Sequence, residues 1–245
     1  MQATDHSDHK FESRLMTIKA ESNEQQLACT DLRRRVQKQE GIRHRRTLTS
    51  IDHEQQLLVV DRLNGLPVAT VGLTSSQYGG EIEGAFNLRG LMQGTGDYLE
   101  LDGPVMLPGH NPDDVLSQCL EYVAELNPSH INRALVSKIS LPLGGGDKYV
   151  QSLMFYLRNS HMCTTLARPR VPLRRGDIAY ADDVILPGML RAFLRYCACI
   201  GSEPYWDAEQ GRAEILVWLA GNRVAKQAYV PQPIACCGTD SQLFV

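Results

Sequence analysis

Aromatic side chains are scarce. They make up 7% of the 245 residues, with only two tryptophans, so no interleaved array of rings is available for nucleic-acid bases to stack on, and nucleic-acid binding is not expected. Long apolar runs are missing too: none approaches the ~18 residues of a membrane-spanning helix. The opening MQATDHSDHKFES is polar and has no apolar h-region, so residues 1–13 are expected to be a loose tail rather than a secretory signal. Metal-type cysteine spacing is also lacking. The seven cysteines include Cys197-x-Cys199 and adjacent Cys236-Cys237, which match neither a CxxC pair nor a four-ligand zinc pattern. Reduced thiols in a cytoplasmic protein are the expectation. His44, His53, His110, His130 and His161 show no ligand spacing either, so no metal is expected.

What is present is an ordinary globular composition, with 43% hydrophobic and 22% charged residues. The length allows one large domain, expected over residues 14–230, with 231–245 as a C-terminal tail. Net charge is −3, yet seven of the 25 basic residues fall between Arg33 and Arg46. Arg168, Arg170, Arg174 and Arg175 form a second group. Basic clusters on an acidic chain point to local anion recognition, although each taken singly also reads as a solvated helix face or a basic loop.

Strand and helix signals alternate along the chain. Ser13–Ala20 holds a short strand candidate. Ser22 with Gln25 three residues on has the form of a capping box, opening a helix to about Glu40 with Ala28, Leu32 and Val36 on its apolar face. Leu57–Asp61 and Pro67–Leu73 flank Asn64-Gly65, a strong hairpin signal. A short helix is expected around Ala85–Met92 and a strand at Tyr98–Leu101, ended by Gly103-Pro104. Asn111-Pro112-Asp113-Asp114 opens a helix with a cap, a first-turn proline and acids at the positive dipole end. Ala134–Ser140 reads as a strand, Val150–Leu157 as a helix, 168–183 as a loop, and 185–196 as a helix before a closing strand. This interleaving predicts an α/β fold on a mixed sheet.

Six fragments, in order, resemble one family. They are Leu32-Arg-Arg-Arg-Val with Glu40-Gly41; Gln56-Leu-Leu-Val-Val-Asp61 with Gly65 and Val68-Ala-Thr-Val; Gly84-Ala-Phe-Asn-Leu-Arg-Gly-Leu91; Tyr98-Leu-Glu-Leu101; Ser140-Leu-Pro with Gly146-Asp147; and the closing Leu-Pro helix followed by Pro204-Tyr-Trp-Asp207. Together they are similar to the ornithine-acyl-carrier-protein N-acyltransferase group, also called hemolysin-like, within the GNAT superfamily. The resemblance spans roughly residues 14–230. Asp102-Gly103 stands where the family pattern has Gly-Arg, and Val71-Gly72 replaces a Tyr-Arg pair.

The resemblance implies a GNAT-like fold whose central mixed, mainly antiparallel sheet is flanked by helices. It implies a cytoplasmic enzyme that moves a fatty acyl group from acyl carrier protein to the amine of an amino acid, giving an N-acyl amino acid or lyso-aminolipid. Acyl-phosphopantetheine is then the donor and no other cofactor is bound; a peripheral membrane contact is a further expectation. An α-amino group titrates near ~8, so a base is needed at neutral pH. Glu100 is the first candidate for that base, with Asp102, one strand period on, the second. Arg33, Arg35 and Asp52 are the substrate-binding candidates by position. Arg43, Arg45 and Arg46 would engage the acidic carrier protein. The helix that would meet a nucleotide pyrophosphate carries Asp113 and Asp114 at its start, a charge that favours a carrier-protein donor. The substitutions leave two alternatives open: a lapsed member that binds carrier protein or lipid, and an autoinducer-synthase-like enzyme.

Overall fold

An Asn-Gly turn organises the first half of the molecule. In this computed structural model, which describes residues 13–40, 55–78, 80–95, 97–126, 134–143, 147–161, 163–173 and 184–220, Gly65 takes the left-handed backbone (φ 70°) that the turn requires. Its N–H donates to Asp61 O at 2.8 Å, and Leu66 N–H to Asn64 Oδ1 at 2.9 Å. The turn joins β2 (Gln55–Asp61) to β3 (Pro67–Ser75), and β1 (Leu15–Lys19) pairs antiparallel with β2 on the outer side. The capping box forms as the sequence predicts: Gln25 N–H donates to Ser22 Oγ at 3.2 Å, and Ser22 N–H to Gln25 Oε1 at 3.0 Å. It opens α1 (Asn23–Glu40), which packs on β2, β3 and β5 (Tyr98–Met106) through Cys29, Leu32 and Val36.

Between β3 and β5 the chain makes α2 (Ile82–Ala85), β4 (Phe86–Asn87) and α3 (Arg89–Thr95), so the single helix expected at 85–92 is two short helices around a two-residue strand. Phe86 breaks the helix because it pairs with Pro169 of β8 (Arg168–Pro169). After β5 come α4 (Pro112–Leu126), β6 (Ala134–Pro142), α5 (Lys148–Ser160) and β7 (Cys163–Thr164). Past β8 lie α6 (Gly188–Arg195), β9 (Cys199–Gly201), β10 (Tyr205–Asp207) and β11 (Arg212–Leu219). Asn111 caps α4 through Asp113 N–H at 3.1 Å.

Among the described residues the main sheet runs β1-β2-β3-β5-β6-β11-β9-β7, with β10 on β11. It is mixed: β5 with β6 and β7 with β9 are parallel, the rest antiparallel. One face is covered by the apolar sides of α4, α5 and α6, including Val115, Cys119, Val150, Leu153, Met154, Leu157, Leu190 and Phe193, all at most 1% exposed. The other carries α1, and a second cluster in which Ile82, Phe86, Leu88 and Leu91 pack on Tyr98, Val136 and Leu216. The fold is therefore a mixed α/β sheet flanked by helices. No helix among the described residues is long and apolar enough to cross a membrane.

Two expectations are corrected. The strand at 98 does not end at Gly103-Pro104 but runs on to Met106. The register with β3 slips from Gly72↔Asp102 to Thr70↔Val105, so β5 holds one extra residue there: a bulge takes up a proline that has no N–H for a regular ladder. Leu126, which the spacing of Val115, Cys119 and Val123 would place on the same buried stripe of α4, is 44% exposed at the helix end.

The edge of the sheet is pinned by charge. Arg14 Nη2 lies 2.6 Å from Asp61 Oδ2, and Leu63 N–H donates to Asp61 Oδ1 at 2.9 Å. The hydrogen bond from Arg14, before all else, holds the Asp61 carboxyl below its ordinary range. Below that ordinary value, near ~4, the unfolded chain binds a proton that the native chain still refuses, so acid favours unfolding. This contribution is present in full above about pH 5 and fades as pH falls through the native value. Urea midpoints measured against pH are expected to fall on the acid side in the wild type and to fall less steeply in Asp61→Asn; parallel curves would refute the pair's role.

Candidate functional site

The central strands part company. β5 pairs with β6 only from Tyr98↔Ala134 to Leu101↔Ser137. Both strands then run on, β5 to Met106 and β6 to Pro142. Over that stretch β5 stays with β3, out to Ala69↔Met106, and β6 stays with β11, out to Arg212↔Pro142. The sheet thus divides into two leaves hinged at a four-residue parallel ladder. At the crotch, Ser137 Oγ donates to Leu101 O at 2.7 Å, with both residues fully buried.

Strand alternation assigns side chains to the two faces. Leu99 and Leu101 belong to the cluster under α4, α5 and α6. Tyr98 and Val136 belong to the cluster under α2 and α3. Glu100 and Asp102 follow Tyr98 at the two-residue period, and Lys138 follows Val136, so all three lie on the α1–α3 face. On β11, Leu216 opposite Lys138 and Glu214 opposite Ser140 continue that face. Asp102 and Lys138 are the first residues past the ladder on this face, one on each leaf.

Glu100 is 1% exposed. Its carboxylate accepts from Ile82 N–H, at 3.1 Å to Oε1 and 3.3 Å to Oε2. A buried ionised carboxylate needs such compensation, because losing its water costs far more than an ordinary hydrogen bond returns. Gly80 presses against the same group: a Cβ there would overlap Oε2 and stand 3.0 Å from Cδ. Beside them the Tyr98 hydroxyl donates to Glu83 Oε1 at 2.9 Å. Burial first, then Glu83, pushes the phenol far above its ordinary range, so Tyr98 stays protonated at any physiological pH. Asp102 is 6% exposed.

Beyond the hinge lies a charge network. Lys138 Nζ stands 3.4 Å from Glu81 Oε2 and 3.6 Å from Glu214 Oε2. Arg212 Nη2 is 3.0 Å from Glu214 Oε1, and its Nε is 3.5 Å from Asp207 Oδ2. Glu214 is 1% exposed. Lys138, Glu81, Glu214 and Arg212 were not singled out by motif. The available signal was a lone lysine in ALVSKIS and a lone glutamate in RAEILVWL, charges inside otherwise apolar strands.

Arg33 approaches the face from α1. Its Nη2 donates to Gln56 Oε1 at 3.1 Å, while its buried Nε has no hydrogen-bond partner. Gln56 lies opposite Gly72, and Gly72 opposite Asp102. Because the residue between them is a glycine, no side chain separates the Arg33–Gln56 pair from Asp102 along that row. Arg35 is exposed, some 200° further round the helix, and does not join the group. Asp52, Arg43, Arg45 and Arg46 lie outside the described residues, as do Gly144–Gly146 and Cys236-Cys237.

No protein-family model matches the chain and no curated protein does. Two chains among solved structures are similar to it. One is the aminoglycoside 6'-N-acetyltransferase from Enterococcus faecium, at 10% identity and a TM-score of 0.44, over 90% of this chain and 99% of that one. So distant a likeness does not establish common function.

Other expectations meet the structure more simply. Asp113 at the start of α4 is paired with Arg195 of α6, so the electrostatic objection to a pyrophosphate there rests on Asp114. Leu190 and Phe193 are core side chains, with Met189 and Leu194 packed partly buried against them. Trp206 sits half-buried in β10, its backbone N–H donating to Val171 O at 2.8 Å. Among the described residues, no three His, Cys, Asp or Glu side chains converge as metal ligands.

The tight approach at Gly80 makes a direct test. Gly80→Ala is expected to cost about 1–3 kcal/mol through forced displacement. In a Glu100→Ala background the same substitution is expected to cost less, with a coupling of at least ~0.5 kcal/mol in a denaturation cycle. Additivity would show that Gly80 and Glu100 do not touch in solution.

Proposed function

We propose that the chain is an N-acyltransferase of the carrier-protein-dependent kind, moving a fatty acyl group from the phosphopantetheine of acyl carrier protein to the amine of an amino acid. The observation that carries the reading is the division of the sheet: two parallel strands leave one another after Leu101 and Ser137 while each keeps its outer neighbour. An extended pantetheine arm needs a slot of backbone width, and the space between diverging strands supplies one. The resemblance of the chain to the ornithine-acyl-carrier-protein N-acyltransferase group supports the same choice of donor. Arg43, Arg45 and Arg46 are the proposed docking residues for the carrier protein, and Asp52 an accessory substrate ligand.

In this reading the acceptor nitrogen attacks the thioester carbonyl from the α1–α3 face. A β5 backbone N–H beyond the ladder donates to the oxyanion that forms. Collapse breaks the C–S bond, the amide remains, and the departing thiolate takes up a proton. The proton lost by the amine goes to Asp102, directly or through a water. Asp102 is preferred to Glu100 for this step because it is the first acid past the ladder, where β6 has left β5. Arg33, with its spare buried Nε donor, binds the acceptor carboxylate across Gly72. The acceptor thereby meets a cation at one end and an acid at the other.

The test is thiol release from acyl-carrier-protein thioesters incubated with the protein and a pool of amino acids. Release above blank is expected, and Asp102→Asn is expected to lower kcat/KM by about 10²–10⁴. Failure to release thiol at every chain length would overturn the reading. Intact carrier-protein binding without turnover would mark a binder that has lost catalysis.

A further inference from the structure

Three consecutive residues bridge the two leaves of the sheet at the point where they separate. Gly80 lies against the Glu100 carboxylate, too close to admit a Cβ beside Oε2. Ile82 N–H donates to the same carboxylate. Between them Glu81 turns the other way and reaches Lys138 Nζ at 3.4 Å. Glu100 belongs to β5, and Lys138 is the first residue of β6 beyond the ladder on that face. The segment is thus tied to both limbs of the fork, on the α1–α3 side.

Lys138 is well placed to be the movable half of this attachment. Its side chain is 12% exposed, against 29% for Glu81 and 2% for Glu214. Both of its carboxylate partners stand at 3.4–3.6 Å rather than at the 2.7–2.9 Å of a tight charge-assisted hydrogen bond. Glu214 has a second cation, Arg212, at 3.0 Å. Glu81, on the strap, reaches the far leaf through Lys138. The Glu100 attachment is of the opposite kind, made by a backbone N–H and beside a glycine with no room for a Cβ.

We propose that residues 80–82 form a strap across the α1–α3 mouth of the fork, and that Lys138 is the positioning residue that holds it shut and so decides which amines enter. The inference rests on the acyltransferase reading for its functional half only. Lys138 touches no reacting atom; it acts through Glu81. The strap limits the bulk of the acceptor, which enters from the α1–α3 face.

The experiment compares the full chain with Lys138→Met, Lys138→Arg and Glu81→Gln. Hydrogen–deuterium exchange is read over the peptide spanning 80–88, with 150–157 of α5 as the internal control. Exchange at 80–88 is expected to rise about tenfold in Lys138→Met and Glu81→Gln, and to return close to wild type in Lys138→Arg, with α5 unchanged. In steady-state assays the ratio of kcat/KM for a bulky over a small amine is expected to rise about tenfold in the same two variants, through acceptor KM rather than kcat. Lys138 is largely buried and its methionine variant risks general loosening; Glu81→Gln, at a more exposed site, keeps the test decisive. Exchange at 80–88 that stays at the wild-type rate in Glu81→Gln, or that rises equally in α5, would overturn the strap. An unchanged acceptor ratio despite a loosened segment would overturn its role in selection. If the wild type turns over no acyl donor, the exchange result still decides the strap, and the acyltransferase reading alone falls.

Discussion

Everything at the centre of this molecule depends on two strands that cannot stay together. β5 and β6 are parallel neighbours for four residues, and each is bound more extensively to its outer partner, β3 and β11, than to the other. Where the demands conflict, the shorter ladder yields. The bulge that places Gly103-Pro104 in β5 comes immediately after the ladder stops. A bulge bends the strand that carries it and increases its twist, so β5 is turned away from β6 at the residue after Leu101. Ser137 then marks the end of the shared ladder, its hydroxyl satisfying Leu101 O.

Opening a sheet in mid-run exposes strand edges, and the structure manages that with charge. The α1–α3 face near the opening carries Glu100, Asp102, Lys138, Glu214 and Arg212, where strands buried on both faces usually carry aliphatic residues. Glu100 accepts from a backbone N–H, and Glu214 stands between the charges of Arg212 and Lys138, although its Oε1 has no hydrogen-bond partner. Removing water from such groups costs several kcal/mol per ion unless partners replace it. A network of this kind is therefore weak support for stability but strong support for specific geometry. Charged side chains in these rows also hinder re-pairing of the leaves in a shifted register, since a slip of one residue would drive Lys138 and Glu214 into the apolar cluster around Leu153 and Leu157.

Much of the fold was legible because its signals are local. The Ser22–Gln25 box, the Asn64-Gly65 turn, the Asn111 cap and the Val150–Leu157 stripe each act within a few residues, and each appears where the chain places it. What was missed is non-local. Phe86 leaves helical geometry because of Pro169, more than eighty residues away, and Gly103-Pro104 reads as a strand end unless β3 is known to stay in register past it. For the site, the strand period put Glu100 and Asp102 on one side, as the register has them, while Arg33, taken from the resemblance, lies against Gln56. It could not show that Glu100 would be taken by Ile82, since that contact is fixed only when α2 docks. Arg35 illustrates the reverse error: nearness in sequence to Arg33 is separation in space on a helix.

The two acids of β5 differ in their neighbours. Glu100 stands within the paired part of β5, opposite Val136, where the sheet is continuous and the covering segment lies directly on it. Asp102 stands one period later, opposite Gly72, where β6 has already left and the next position on β3 has no side chain. A carboxylate in the first setting accepts from a fixed backbone donor, which offsets part of the cost of leaving solvent. In the second setting, the facing position on β3 carries no side chain and β6 no longer pairs alongside. Two carboxylates of similar intrinsic chemistry thus meet different surroundings because of where a ladder ends.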